Sequence, residues 1–333
     1  MKNFPIILFV VLLLSSCNGS TKKQASQIAT APVVRVKPPL FQADSAYAFV
    51  AKQLAFGPRV PGSPAHLACA GWMSAKMAQL ADTVVVQPFK ARVYTKDVME
   101  GKNIIASFNP KANRRIILAA HWDSRPYADH DPDPAKHRTP IDGANDGASG
   151  VGVLIEIARL LKLQPIDPRT GIDIIFFDLE DYGPHNSVRT GGDDDYWALG
   201  SQHWSRNPHV PGYQAHYGIL LDMVGAAGAV FPREYYSQQY AAWVLDKVWR
   251  RAQELGYEAY FSNRPGLPIN DDHIPVNRIA GIPMIDIIHQ DTGSTNGTFY
   301  EHWHTSNDNL SQIDRETLRV VGEVVTSVIY ETP

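Results

Sequence analysis

The apolar run at residues 172–179, which is rich in β-branched and aromatic side chains, constrains the fold of this chain more than any other segment. A strand with one solvated face alternates apolar and polar residues, whereas a continuous apolar run predicts a strand buried on both faces. Such strands lie inside a parallel sheet that helices cover on both sides. The run leads into Glu180 and Asp181, at the end of the strand where open α/β sheets build their sites.

Helical and extended patterns alternate along the rest of the chain. Apolar spacing and turn residues predict helices at 44–54, 65–80, 150–163, 236–255 and 311–330, and strands at 83–92, 103–108, 115–120, 172–179, 216–224 and 283–288. This order predicts the α/β class, in the form of a single-domain three-layer α/β/α sandwich with a mixed, mostly parallel central sheet.

The N-terminus has the pattern of a secretory signal. Lys2 precedes an apolar run at 4–14, and small residues lead to Cys17. The run is too short for a comfortable membrane span. The ending Leu-Ser-Ser-Cys resembles the bacterial lipobox, in which the cysteine is lipidated and becomes the new N-terminus. The alternative is an ordinary signal peptide that happens to contain a cysteine.

These features predict three segments. Residues 1–16 are a lipoprotein signal peptide, residues 17–40 are the lipidated cysteine and a flexible tether, and residues 41–333 are the α/β domain that contains the candidate site residues. The polar, proline-containing composition of the second segment is typical of a linker. We therefore expect a protein of the bacterial cell envelope that is lipid-anchored through Cys17 and faces the periplasm or the surface.

The net charge and the cysteine content bear on the binding partners and on the disulfide bonds that this chain can have. The 333 residues carry a formal net charge of −3, so nothing predicts nucleic-acid binding. Cys69 is the one cysteine besides Cys17, which leaves no intramolecular disulfide in a mature chain. Its apolar helical surroundings predict a buried structural thiol. We expect a monomer. The acidic run at 193–195 lacks the spacing of a calcium loop and predicts a solvated loop instead.

Acids and histidines recur where predicted strands end or in the loops that follow them. His121, Asp146, Asp181, Asp222 and His304 are the main candidates. Imidazole and carboxylate ligands suit zinc, and an acid beside a ligand suits a general base. Neighbouring side chains at a strand end point in different directions, so one acid of a pair can bind metal while the other faces the reacting group. The alternatives are exposed loop acids and, before the helix at 150–163, a helix cap.

Taken together, several motifs resemble those of the zinc peptidase-like superfamily, which contains zinc aminopeptidases and glutaminyl-peptide cyclotransferases. The motifs are at 57–63, 121–124, 143–146, 176–181, 220–222, 271–275 (Asp-Asp-His-Ile-Pro) and 303–305 (Trp-His-Thr). The earlier motifs are shared by both branches. The last two favour the cyclotransferases.

The resemblance implies roles for individual residues. One Zn²⁺ per chain would be held by Asp146, Asp181 and His304. Animal relatives carry Glu at the position of Asp181, so a different backbone position must compensate for the shorter side chain of Asp181. Glu180 would be the general acid and base.

The remaining implied roles concern the pocket. Asp222 and Asp271 would form a buried acid pair that shares a proton. Trp303 would be one wall of the substrate pocket, and Trp197 is a candidate for another. His121 would be the remnant of a second metal site.

The implied reaction cyclises the N-terminal glutamine of peptides or proteins to pyroglutamate with release of ammonia. Two alternatives stay open. In an aminopeptidase, Asp146 would bridge two zinc ions, His121 and Asp222 would hold the second, and Glu180 would activate water. In a non-catalytic lipoprotein the scaffold would only bind peptides or glycans, although the intact Glu180 and ligand set argue against this.

Overall fold

The structure is a computed structural model that describes residues 37–189 and 195–331. The predicted signal peptide, Cys17 and all but Asp195 of the acidic run therefore lie outside the described residues. Within these two ranges, no helix combines the length and the hydropathy that a bilayer span requires.

Six strands form the central sheet in the order β1-β2-β4-β3-β5-β8. Strand β2 pairs antiparallel with β1 and β4, whereas β4, β3, β5 and β8 are mutually parallel. The strands are β1 (Thr83–Arg92), β2 (Val98–Phe108), β3 (Arg114–His121), β4 (Thr170–Phe177), β5 (Tyr217–Asp222) and β8 (Met284–Ile288). The predicted mixed, mostly parallel sheet is confirmed, and a separate small sheet pairs β6 (Phe231–Arg233) with β7 (Phe261–Pro265).

Helices cover both faces of the sheet, as predicted for a three-layer sandwich. The helices are α1 (Ala43–Leu54), α2 (Pro64–Ala78), α3 (Ala148–Leu163), α4 (Leu199–Arg206), α5 (Tyr235–Glu254), a short α6 (His273–Pro275) that continues as a π-helical turn (Val276–Ala280), and α7 (Arg315–Tyr330). Short 3₁₀ turns occur at Pro134–Lys136 and Leu310–Gln312. Alternate residues of β4 face the two layers: Ile174 and Phe176 pack in the larger core, and Ile175 and Phe177 in the smaller one beneath α4.

One predicted helix boundary was wrong and one helix was not predicted, both for local reasons. The last helix begins at Arg315 rather than at 311, because the Asp314 side chain caps it by accepting hydrogen bonds from the backbone N–H groups of Glu316 and Thr317. Helix α4 was missed because its eight residues are mostly polar, and Leu199 and Trp204 are its only large apolar side chains.

One acid inside β4 is satisfied by a buried network. Asp173 accepts hydrogen bonds from the guanidinium of Arg115 (2.5 and 2.6 Å), from the Ser107 hydroxyl (2.5 Å) and from the Tyr213 hydroxyl (2.5 Å). The network explains how a carboxylate sits in a strand that is otherwise apolar on both faces, because a buried charge is tolerated only when it is paired.

Replacing Arg115 should therefore be costly. We expect Arg115→Met to lower the free energy of unfolding by about 3–5 kcal/mol, because it strands the Asp173 charge in the core. The matched control is Arg169→Met, which breaks an exposed pair with Asp167 and should cost under about 1 kcal/mol. Urea denaturation of both variants measures the difference. Equal small losses would mean that Asp173 folds protonated.

Candidate active site

The carboxyl ends of the central strands bring the predicted site residues together. His121 is the last residue of β3, Asp222 is the last of β5, and Glu180 and Asp181 follow β4 closely. Asp146 precedes α3, whose first turn faces the same edge of the sheet. The parallel arrangement of these three strands is the reason that side chains far apart in the sequence meet here.

Unusual backbone conformations aim these side chains. Leu179, Met223 and His304 have positive φ angles of 56°, 49° and 54°. Non-glycine residues rarely adopt this left-handed region, and such conformations concentrate at functional sites. Gly147 has φ 89°, and a Cβ there would lie 2.9 Å from the His121 ring, so only glycine lets the backbone approach this closely.

Two buried triads of metal-binding type share Asp146. In the first, the His304 Nε2 atom lies 3.1 Å from Asp181 Oδ1 and 3.6 Å from Asp146 Oδ2. In the second, the His121 Nε2 atom lies 3.0 Å from Asp146 Oδ1 and 3.2 Å from Asp222 Oδ1. The structure thus brings together all five candidate residues predicted from the sequence, and it places His121 as close to acids as it places His304.

Two buried acids hold the backbone of the ligand loops. The Asp123 carboxylate accepts the N–H groups of Glu180 and Asp181, both at 3.1 Å. Asp308 likewise accepts those of Asn145 (2.8 Å) and Asp146 (3.1 Å). An oxygen of Asp123 also lies 3.6 Å from the His121 Nδ1 atom. Asp308 was not among the residues predicted from the sequence.

A buried ion pair supports His304. Asp129 accepts two hydrogen bonds from Arg125, at 2.6 and 2.8 Å, and one of its oxygens lies 3.5 Å from the His304 Nδ1 atom. Arg125 also lies 3.5 Å from Asp181. Metal-binding histidines are commonly oriented by a carboxylate in this way. The signal in the sequence was the four-residue spacing between Arg125 and Asp129, which lies outside the predicted motifs.

Burial dominates the protonation of the site. It raises the pKa of Glu180 well above its usual range. The charge of His121 opposes this rise, and repulsion by Asp271 and Asp181 adds to it. Burial also raises the pKa of Asp222 to about 7, although a hydrogen bond with His121 opposes this. For His121, burial alone would lower the pKa, but hydrogen bonds with the surrounding carboxylates raise it well above the ordinary value.

Asp271 reaches the same pocket and has a second acid beside it. It lies next to Asp286 of β8, and its charge helps to raise the pKa of Asp222. Asp271, Asp286 and His273 have donor atoms within 4.8 Å of one another and are buried. The predicted Asp222–Asp271 pair is therefore part of a larger acid cluster, and Asp286 was not foreseen.

A pocket of about 330 Å³ opens above the first triad. Aromatic rings bracket His304: Trp303 stacks on it at 3.7 Å between ring centroids, and Trp197 lies parallel to it at 6.3 Å. The remaining lining residues include Asp146, Glu180, Asp181, Asp222, Met223, Ile269, Asn270, Asp271, Ile288 and Phe299. Both predicted tryptophans thus line the pocket, together with apolar residues that sequence reasoning did not name.

The first triad fits a divalent metal. Its two carboxylates and one imidazole are buried within ligand distance of a common point, and such packing needs either protons or a cation between the groups. The Asp181 Oδ2 atom is buried with no hydrogen-bond partner among the described residues, so it is available as a ligand. Three mixed nitrogen and oxygen donors that leave one open position are typical of catalytic zinc.

Comparison with known proteins agrees with this geometry. A glutaminyl cyclase from Tannerella forsythia superposes with a TM-score of 0.86 at 50% identity and covers 89% of this chain and all of that one. A Zn-dependent exopeptidase from Parabacteroides distasonis gives 0.85 at 51% identity, over 88% and 99%. The glutaminyl-peptide cyclotransferase of Bothrops jararaca is 28% identical over 82% of this chain and 77% of its own length. The model of peptidase family M28 matches residues 103–329, which is more than half of the sequence, and the chain therefore belongs to that family.

Proposed function

We propose that this protein is a glutaminyl-peptide cyclotransferase that converts the N-terminal glutamine of peptides and proteins to pyroglutamate. The observation that carries the proposal is the position of Glu180 in a small aromatic-walled pocket beside the triad of Asp146, Asp181 and His304. The similarity to glutaminyl cyclases over about nine-tenths of the chain supports it.

In the proposed reaction, the neutral α-amine attacks the γ-carbonyl carbon of the same glutamine residue. A carbon–nitrogen bond forms, a five-membered lactam closes, and the bond to the amide nitrogen breaks to release ammonia. Zinc held by Asp146, Asp181 and His304 would act as a Lewis acid toward the carbonyl. Glu180 takes the proton from the attacking amine and delivers it to the departing nitrogen. Its raised pKa suits a group that must both accept and donate.

The neighbouring groups serve this proton transfer. Asp222 and Asp271 line the pocket beside Glu180, and their mutual repulsion disfavours the doubly charged state, so the pair retains a proton. Trp303 and Trp197 confine the glutamine side chain between flat apolar surfaces and keep water away from the carbonyl.

The second triad favours an alternative function, a two-zinc aminopeptidase. The His121 Nε2 atom lies as close to Asp146 and Asp222 as the His304 Nε2 atom lies to its two acids, so the ligand geometry of a second site is present. We propose one zinc per chain, with His121 held by its hydrogen bonds to Asp146 and Asp222.

A paired assay separates the two functions. The purified protein is incubated with a peptide that begins with glutamine and, separately, with an amino-acid anilide, and bound zinc is counted. Ammonia and pyroglutamyl peptide without anilide cleavage support the cyclase. Anilide cleavage with two zincs per chain would overturn it.

The pocket wall offers a second test. A Cβ atom at Gly183 would lie 2.2 Å from the Trp197 ring, so Gly183→Ala must displace this tryptophan. We expect KM for the glutamine peptide to rise about tenfold or more, because small misplacements of positioning groups are costly. Gly71→Ala is the control: nothing lies within 4 Å of that Cβ, and the residue is in the exposed face of α2. An unchanged KM in Gly183→Ala would remove Trp197 from the substrate site.

We also propose that the mature protein is a monomer anchored to the bacterial envelope by lipid on Cys17. The lipobox-like residues 14–17 support the anchor. Metabolic labelling with a fatty-acid analogue tests it, since Cys17→Ser should abolish incorporation.

A further inference from the structure

The edge of the sheet opposite the active site differs in character from the rest of the surface, and we call it the basal face. Strand β3 begins there at Arg114 and ends in the site at His121, roughly 23 Å away by strand geometry. The basal face comprises the residues at this end of β3, α3 and α5 and those that contact them: Lys37, Leu40, Arg114, Lys162, Leu163, Trp243, Lys247 and Arg250. It combines cations with exposed apolar side chains although the whole chain is slightly acidic.

The cations are clustered. Burial, followed by the charges of Arg114, Arg250 and Arg251, lowers the pKa of Lys247 to about 8. Among the described residues, no ion pair joins Arg114, Arg250 or Lys162 to an acid. Like charges this close repel one another, and an anionic surface would relieve that repulsion.

The acids nearby are already engaged. Glu254 and Glu331 both pair with Arg251, and Asp167 pairs with Arg169. These three acids therefore do not neutralise the remaining positive charge of the basal face.

Large apolar side chains stand beside these cations. Leu40 is 71% exposed, Leu163 is 68% exposed and Trp243 is 45% exposed. Trp243 is held in position by ring contacts with His216 (5.1 Å) and Tyr217 (5.5 Å) at the start of β5. Exposed tryptophan and leucine next to lysine and arginine are typical of surfaces that insert shallowly at a bilayer interface.

The chain also enters the fold at this face. The Lys37 carbonyl accepts a hydrogen bond from the Gln164 side chain (2.9 Å), and the Gln164 carbonyl accepts one from the Tyr330 hydroxyl (2.5 Å). Gln164 follows α3, whose other end begins at the active site. Lys37, the first described residue, therefore lies at the end of the molecule away from the pocket.

We propose that the basal face docks on a membrane surface of anionic phospholipid and holds the mouth of the active site away from the bilayer. The cations contact lipid phosphates while Leu40, Leu163 and Trp243 insert among the headgroups. This orientation leaves the pocket open to peptides in solution.

The test uses the full chain bound to vesicles of phosphatidylcholine alone or of equal parts phosphatidylcholine and phosphatidylglycerol. Labelling of lysines by an amine reagent is read by mass spectrometry. We expect Lys162 and Lys247 to react several-fold more slowly on the anionic vesicles, and high salt to remove the difference. Lys96, beyond the carboxyl ends of the strands, should react equally on both.

Charge reversal provides the matched pair of variants. The triple variant Arg114→Glu, Lys247→Glu and Arg250→Glu should lose the protection of Lys162. The triple variant Arg92→Glu, Lys96→Glu and Arg138→Glu changes three exposed cations elsewhere and should keep it. Both should cyclise soluble peptides at the wild-type rate.

Equal labelling of the wild-type chain on neutral and anionic vesicles would overturn the proposal, whatever the variants do. So would equal protection of Lys162 and Lys247 by heparin, because the basal face would then bind polyanions in general rather than a membrane.

Discussion

Glu180→Gln should lower kcat for a glutamine peptide by about a hundredfold to ten-thousandfold, the range expected when a general acid-base group is removed. The amide keeps the shape of the side chain but can neither accept the amine proton nor deliver it to ammonia. The backbone N–H of Glu180 is held by Asp123, so the loop should stay in place.

Zinc content and melting temperature distinguish a chemical from a structural effect. Both should match the wild type in Glu180→Gln, because Asp146, Asp181 and His304 are untouched. Glu301→Gln is the control, since that acid is exposed and accepts its hydrogen bonds from the nearby Thr295. Loss of zinc from Glu180→Gln would mean that Glu180 and Asp181 have exchanged roles.

Asp146→Ala should abolish both metal binding and activity. Asp146 is the one residue common to the two triads, so its loss removes a ligand from either arrangement. The substitution removes the acid that both His121 and His304 contact. The two donors that remain in either triad cannot hold zinc tightly. We expect zinc affinity to fall by more than about a hundredfold, since this exceeds the loss expected from an outer-sphere change.

His121→Ala is the informative companion. For a single zinc held by the first triad, this variant keeps one zinc per chain and most of its activity. For a two-zinc enzyme, it loses one zinc and the peptidase activity with it. Elemental analysis of both variants after dialysis against a weak chelator measures the difference. Retention of stoichiometric zinc by Asp146→Ala would contradict the assignment of the first triad.

Much of the fold was predictable because local pattern and tertiary packing agree. The apolar run at 172–179 became the buried strand β4, and its ends shifted by only two residues. Helix α3 and strand β1 likewise followed their patterns. A polar segment that is ordered by its tertiary contacts, such as α4 around Trp204, has no apolar periodicity, and this helix was therefore not predicted.

The site divides in the same way. The residue types of Glu180, Asp181 and His304 indicate metal and acid-base chemistry wherever they lie. The residues that position them cannot be recognised in this way. Asp308 accepts a hydrogen bond from a backbone N–H group 163 positions earlier in the chain, and no local sequence pattern contains such a contact. Asp129 and Asp286 were not predicted as site residues for the same reason.

The sequence by itself determined the α/β class, the order of most strands and helices, and the set of acids and histidines that carry the chemistry, because these depend on periodicity and on residue type. The tertiary structure alone decided which of those side chains meet. It placed the His121 Nε2 atom between Asp146 and Asp222, put Trp197 against Gly183, and placed Asp271 next to Asp286. Those contacts follow from the parallel pairing of β3, β4, β5 and β8, which brings the ends of distant segments to one edge of the sheet.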